Sequence, residues 1–477
     1  MHTNPITRRQ FTRFAGALAA SCLAVTACTP GTGGSGGDPA AEKPQTLRML
    51  YATAEANAAA VQALLPQFKE KFGFELQMDT QPYEALQQKV FAEIASDSPF
   101  YDIIIVDTPW APALVNSLEP LSGYINNAAL NDIAAAEVGD FIPKVFYDTA
   151  VYNAEKAVLQ YPVQDAQPDI GAITGEGFDV YGLPIQANAN VMAYRKDLFE
   201  DPQEKAAFEK RYNRPLTVPA TWDEFTEVAE FFTRPEQKLY GTTMMAGVGD
   251  WATDDFKTLL AGFGGNGRMI GDDLSLDFAG PEGEQALSYY QRLINDKVVP
   301  PGTTSASWDQ TASSFNGGLA ATSFNYHDLK LDTKVDGEVA YATVPEAVDR
   351  GPHFGTWMLS INKNSQNKAW AYRAIAWLTA TEQQLAMTED QLHPTRRSVY
   401  DALESADTPN NYYDALGESL AVGVGRPRLT NYTEISRAIA VAVNNAARGA
   451  ASPRAALDKA ADDVRRLLRQ AGYDVPS

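Results

Sequence analysis

Tyr181-Gly182-Leu183-Pro184-Ile185-Gln186-Ala187-Asn188-Ala189-Asn190-Val191-Met192-Ala193-Tyr194-Arg195-Lys196-Asp197-Leu198-Phe199 is the stretch on which the reading of this chain turns. An apolar strand pattern carries amides at alternate positions, Gln186, Asn188 and Asn190, before it passes into a charged helix start. Amides set into an apolar strand need hydrogen-bond partners, and a bound solute can provide them. Upstream of it, β-branched runs at 47–52, 74–78 and 101–106 alternate with helical patterns at 55–72 and 83–96. The first helical pattern repeats Val61, Leu64, Leu65 and Phe68 on one face. A β-α-β-α-β start of this kind predicts α/β layers around a mainly parallel sheet. Ligands of open α/β sheets sit beyond the carboxyl ends of the strands, which places Tyr51 to Glu55 and Asp107 to Trp110 at a cleft.

Downstream, Pro219-Ala220-Thr221-Trp222-Asp223-Glu224-Phe225 reads as a helix start with Thr221 as N-cap and Glu224 completing a capping box. Further on come Phe315-Asn316-Gly317-Gly318-Leu319-Ala320-Ala321 and Gly355-Thr356-Trp357-Met358-Leu359-Ser360-Ile361-Asn362-Lys363. His393-Pro394-Thr395-Arg396-Arg397 and a closing amphipathic helix at 455–468 complete the series. In this order, across nearly the whole mature chain, these motifs resemble the family 1 extracellular solute-binding proteins, the maltodextrin-binding-like group of ABC importers. The resemblance implies two α/β lobes in a periplasmic-binding-protein-like fold, with a hinge and an interlobe ligand cleft. It implies residues 46–184 and 356–395 in lobe one and 185–355 and 396–477 in lobe two. It also implies a membrane permease and ATPase complex as partner, no cofactor, and a binder in place of an enzyme. A chain with roughly 430 residues after its leader, and no linker between halves, exceeds what one core usually supports, which independently suggests interleaved lobes.

The amino terminus reads as an export leader. Arg8-Arg9 precede an apolar run at 14–25, too short to span a bilayer, and Val25-Thr26-Ala27-Cys28 has the form of a lipobox. Residues 1–28 are therefore expected to be a twin-arginine lipoprotein signal, with Cys28 lipidated and holding the protein on the outer face of the cell membrane. Residues 29–45, rich in Gly, Ser, Pro, Ala and Thr, are expected to be a flexible tether. Cys22, the other cysteine, lies within the leader, so the body has no disulfide. Formal charge is −21, and about −24 once the leader's arginines are gone, which excludes nucleic acid as a partner and suits a soluble, exported monomer.

A neutral polyol needs aromatic faces against its C–H surfaces and planar amides or carboxylates against its hydroxyls. The candidate ligand-binding residues are Glu55, Asp107, Trp110, Gln186, Asn188, Trp251, Asn325, Tyr326, Asp328, Trp357 and Arg397, with Trp308 a further aromatic at a loop. Trp222, Trp370 and Trp377 fall on helical patterns and belong to packing. For Gln186 and Asn188 the competing role is hinge hydrogen bonding; for Arg396 and Arg397 it is a surface ion pair. At Asn325-Tyr326-His327-Asp328 the chain departs from the family, where sugar binders often have tryptophan. Tyr326 can still stack, while His327 and Asp328 suit a more polar solute such as an amino sugar. The expectation is a sugar or oligosaccharide; the alternatives are a polyamine, a peptide or another charged solute on the same fold, or a surface-anchored glycoside hydrolase. The histidines His2, His327, His353 and His393 lack metal-ligand spacing, and no metal site is expected. Gly262 to Gly267 fits G-x-G-x-x-G but follows a helical pattern, which rules out the dinucleotide reading.

Overall fold

Ile103, Ile104, Ile105 and Val106 are completely buried, as a continuous β-branched run must be when helices cover both faces of its sheet. The computed structural model describes residues 37–53, 56–155, 161, 164–326, 338–404 and 411–475. Its main strands are β1 (Thr46–Ala52), β2 (Glu75–Gln81), β3 (Ile103–Asp107), β4 (Leu183–Ala189), β5 (Val191–Arg195), β6 (Thr322–Asn325), β7 (Val339–Ala342) and β8 (Phe354–Ile361). The helices that position the site are α1 (Ala58–Phe72), α2 (Tyr83–Ala95), α3 (Pro143–Ala150), α4 (Trp222–Phe232), α5 (Asp250–Gly262), α6 (Trp308–Asn316), α7 (Lys368–Leu378), α8 (Arg397–Glu404), α9 (Tyr412–Val422), α10 (Tyr432–Ala447) and α11 (Pro453–Gln470).

Lobe one is a sheet in the order β2-β1-β3-β8-β4, with β1 parallel to β2 and β3, and β8 antiparallel to both its neighbours. Helix α1 buries Val61, Leu64, Phe68 and Phe72 against it and ends at Gly73, whose φ of 73° lets its N–H close on Lys69. Lobe two has the antiparallel sheet β6-β5-β7. Helices α4, α5, α10 and α11 fill its core with Trp222, Phe256, Leu260, Ile439, Val443 and Leu457. Thr221 caps α4 as predicted, accepting from the Glu224 N–H at 3.2 Å, while the Glu224 carboxylate reaches one residue past the cap, to the N–H of Ala220.

The chain passes between lobes three times. β4 becomes β5 at Asn190, residues 352–354 return into β8, and residues 423–428 cross again. The first two passages differ from the boundaries read in the sequence because β4 and β8 pair along their length as far as Ala189 and Phe354. Residues 396–404 also stay with lobe one. The Arg396 guanidinium is fully buried over the Phe141 ring and donates to the carbonyls of Ala136, Glu137 and Thr379.

The expected tether ends earlier than its composition suggested. Trp370 donates its indole N–H to the Ala41 carbonyl at 3.0 Å, and Lys43 donates to the Phe72 carbonyl at 2.6 Å. Arg373 reaches the Pro39 carbonyl at 3.4 Å, so residues 39–43 lie along lobe one. The leader and Cys28 fall outside the described residues. Among the described residues no helix is long and apolar enough to cross a membrane. On α3, buried Asp148 pairs with Arg268 of lobe two at 2.9 Å and presses on Gly425, where a Cβ would meet its Oδ2 at 1.7 Å.

Candidate functional site

Residues that face each other across a β ladder share a face of the sheet. Trp357 stands opposite both Asp107 and Gln186, and Gly355 stands opposite Asn188. Asp107, Trp357, Gln186 and Asn188 therefore form one row of side chains. The alternate residues of β4, Ala187 and Ala189, point the other way, into a cluster with Ile142, Val145 and Leu416. Tyr83, at the start of α2, donates to the Asp107 carboxylate at 2.8 Å. Its ring lies 5.1 Å from Trp110 and 5.9 Å from Trp357, which meet each other edge-on at 5.5 Å. Asn188 accepts from Gln186 at 3.1 Å and has His393 Nδ1 at 2.7 Å.

Lobe two supplies a second aromatic group. Trp251, in the first turn of α5, packs edge-on to Trp308 at 5.0 Å, and Trp308 lies 6.5 Å from Tyr326. Asn325 is buried beneath them, donating to the Trp308 carbonyl at 3.2 Å and accepting from the Tyr326 N–H at 2.8 Å. It ties the backbones that carry these two rings. Both indole N–H groups, of Trp251 and Trp308, are buried without an acceptor among the described residues.

Arg426, on the third crossing, joins the two halves. Its Nε donates to Asp250 at 3.0 Å and its Nη2 to Asp254 at 3.0 Å. Its Nη1 lies 3.0 Å from where a Cβ on Gly355 would stand, so the missing side chain lets the guanidinium rest on β8 beside Trp357 and Asn188. Asp254 also accepts from the Tyr326 hydroxyl at 2.8 Å. Burial pushes the Asp254 carboxyl up to about 8 against the pull of Arg426. Burial likewise pushes Asp107 up to about 6, opposed by Arg426 and by the Tyr83 hydrogen bond. Burial opposes the charge of Arg426 itself, yet Asp254 and Asp250 hold its pKa well above the usual value.

The structure thus brings Asp107, Trp110, Gln186, Asn188, Trp251, Asn325, Tyr326 and Trp357 to two faces that meet at Arg426. Arg397 is elsewhere: it is exposed and donates to the Gly139 carbonyl at 2.7 Å, held there because α8 packs with lobe one. Glu55 and Asp328, with His327, lie outside the described residues. Among the described residues no group of three or more His, Cys, Asp or Glu is placed to hold a metal. Sequence reasoning missed Tyr83, Asp250, Asp254, His353 and Arg426. The signal for two of them was present: Asp250 and Asp254 are one turn apart on a helix whose residues from Ala252 to Gly262 are all buried.

Two α/β lobes threaded by three crossings, with aromatic and charged groups gathered where the lobes meet, define a bilobal solute-binding protein. The chain belongs to the bacterial extracellular solute-binding protein family, which it matches over residues 52–385. It is thus an exported solute-binding protein of the ABC-transporter type. It is 24% identical over 370 residues to the mannitol-binding protein of Pseudomonas aeruginosa, covering 70% of this chain and 81% of that one. It is 23% identical over 358 residues to the erythritol/L-threitol-binding protein of Mycolicibacterium smegmatis, covering 71% and 68%. A solute-binding protein of Agrobacterium radiobacter K84 in complex with ribitol superposes with a TM-score of 0.68 at 25% identity, over 88% of this chain and 98% of that one. Maltose-bound MalE3 of T. maritima superposes with a TM-score of 0.70 at 22% identity, over 89% and 100%.

Proposed function

We propose that the cleft captures a small, neutral polyhydroxylated solute, a sugar alcohol or monosaccharide, and delivers it unchanged to a membrane permease with its ATPase. The observation that carries this reading is the pair of buried indole N–H groups without acceptors among the described residues, beside an arginine already neutralised by two carboxylates. Hydroxyl oxygens can accept from the indoles and from Arg426 Nη1, and hydroxyl protons can be given to Asp107 and Asp250. A net anion finds no uncompensated cation here, and the tryptophan and tyrosine rings offer faces to C–H surfaces. The binding of mannitol, ribitol and erythritol by relatives supports the same class. Solute that touches both lobes only when they close shifts the population toward closure, the shape a permease can recognise. The protein acts as a monomer exported through the twin-arginine leader and held on the outer face of the membrane by lipidated Cys28.

Thermal unfolding of residues 35–477, one compact unit, tests the solute class. D-Mannitol, ribitol or erythritol at a hundred times its dissociation constant adds about 2.7 kcal/mol and raises the melting temperature. A shift with spermidine or a peptide and none with any polyol would overturn the reading. Recovery of a cleaved sugar would replace it with hydrolysis.

A further inference from the structure

His393 is buried along the outer edge of β4, where its carbonyl accepts from the N–H of Ala187 at 3.1 Å. From that edge its ring reaches both sides of the strand. Nδ1 stands 2.7 Å from the side-chain oxygen of Asn188, on the cleft face. Nε2 stands 3.0 Å from the hydroxyl of Tyr412, which packs with Ala187 and Ala189 on the opposite face. The same Asn188 oxygen accepts from Gln186 Nε2 at 3.1 Å. An amide oxygen only accepts, so the ring carries its proton on Nδ1. A neutral ring is then bare at Nε2, and the Tyr412 hydroxyl donates to it. Tyr412 is completely buried, and its place is fixed by its neighbour Asn411, which accepts from the Tyr341 N–H of β7 at 3.0 Å and donates to the Tyr341 carbonyl at 2.6 Å. The order of protons therefore runs one way, from Tyr412 through His393 to Asn188.

We propose that His393 is a positioning residue that sets the polarity of the cleft: by holding the oxygen of Asn188, it leaves the Asn188 amide nitrogen to meet the solute. That position then selects a solute hydroxyl that accepts. The proposal rests on the reading of the site as a polyol cleft and adds which end of this amide the solute meets. Asn188 is partly exposed, stands in the row with Gln186 and Trp357, and makes no other hydrogen bond among the described residues. Held the other way round, the amide would present its oxygen and select a hydroxyl that donates.

Nitrogen NMR of residues 35–477 carrying isotope-labelled histidine reads the ring without any solute, the His393 signal being the one lost in His393→Asn. A protonated Nδ1 and a bare Nε2 are expected, and a bare Nδ1 would overturn the proposal. Calorimetric titration with D-mannitol and ribitol reads the consequence. His393→Leu removes the donor and binds about three- to tenfold more weakly, the loss of one buried hydrogen bond. The amide of His393→Asn can place its NH2 where Nδ1–H stood, and this variant binds within about twofold of wild type. Equal losses in the two variants would make His393 a packing residue and overturn the proposal. If His393→Leu fails to fold, Tyr412→Phe replaces it: it must weaken binding in the wild-type background and have no effect in His393→Asn, where no ring proton needs ordering. Losses that add in the double variant would likewise overturn the proposal. If wild type binds neither probe, the polyol class fails, while the site of the ring proton still decides the role of His393.

Discussion

Arg426→Met separates the two tasks given to this guanidinium. The substitution keeps the length of the side chain and leaves Asp250 and Asp254 facing each other without their cation, Asp254 with no exposure to solvent. Removing one partner of a buried ion pair costs about 3–5 kcal/mol, a large share of the roughly 5–15 kcal/mol that stabilises a folded protein. The lower end applies here, because Asp254 is already pushed up to about 8 and can take a proton near neutral pH. Solute affinity falls separately. Among the described residues Nη1 makes no hydrogen bond, and a bond from it to a solute hydroxyl is worth about 1.5–3 kcal/mol, or roughly 10- to 150-fold in dissociation constant. Urea unfolding measures the first effect and calorimetric titration with D-mannitol or ribitol the second. The double variant Arg426→Met/Asp254→Asn removes the stranded charge and recovers most of the stability, but none of the affinity. Wild-type affinity in the single variant would show that Arg426 does not touch solute. Failure of the double variant to regain stability would show that the cost is not electrostatic.

The buried Asp255 accepts from the Met245 N–H at 2.8 Å, and burial pushes its pKa up to about 7. A carboxyl raised in the folded state contributes stability below about pH 4 that is lost as pH rises through its folded value. Asp255→Asn therefore shrinks the fall in unfolding free energy between pH 5 and pH 8 by about 2 kcal/mol, read from urea melts at each pH; an unchanged slope would contradict this. In Gly425→Ala the new methyl would stand 1.7 Å from Asp148 Oδ2, and the overpacking costs about 1–3 kcal/mol or more in thermal unfolding; a neutral result would mean that the third crossing yields freely. Arg397→Ala is expected within about 0.5 kcal/mol of wild type with unchanged solute affinity, since the side chain is exposed and donates to a backbone carbonyl, that of Gly139, away from the candidate site.

Period and composition carried the secondary structure well: the helix predicted at 83–96 is Tyr83–Ala95, and the one predicted at 455–468 lies within Pro453–Gln470. The alternate amides of β4 are local, so their common face with Trp357 could be anticipated from strand period alone. What joins the half-sites could not. Arg426 meets Asp254 across 172 residues of chain, and Asp107 owes its hydrogen bond to a tyrosine 24 residues earlier, at the far end of the preceding helix. Such contacts depend on how lobes are threaded, which no window of sequence contains. Arg397 misled because it stands beside Arg396, and nothing local tells a buried arginine from an exposed one. Residues 39–43 misled for another reason. Their attachment to lobe one runs through backbone carbonyls, which composition does not report.

The threading of the lobes has a consequence for anyone who would take the molecule apart. Because the chain passes between lobes at Asn190, at 352–354 and at 423–428, no single cut yields two independent halves. A protease nick in one passage leaves two continuous strands of polypeptide still spanning the junction, and the pieces remain associated without any covalent repair. A transplant of one lobe onto a relative would have to exchange several separate segments together. The recombination unit in this architecture is the whole interleaved body, and new solute preferences are reached more readily by substitution at the junction than by shuffling lobes.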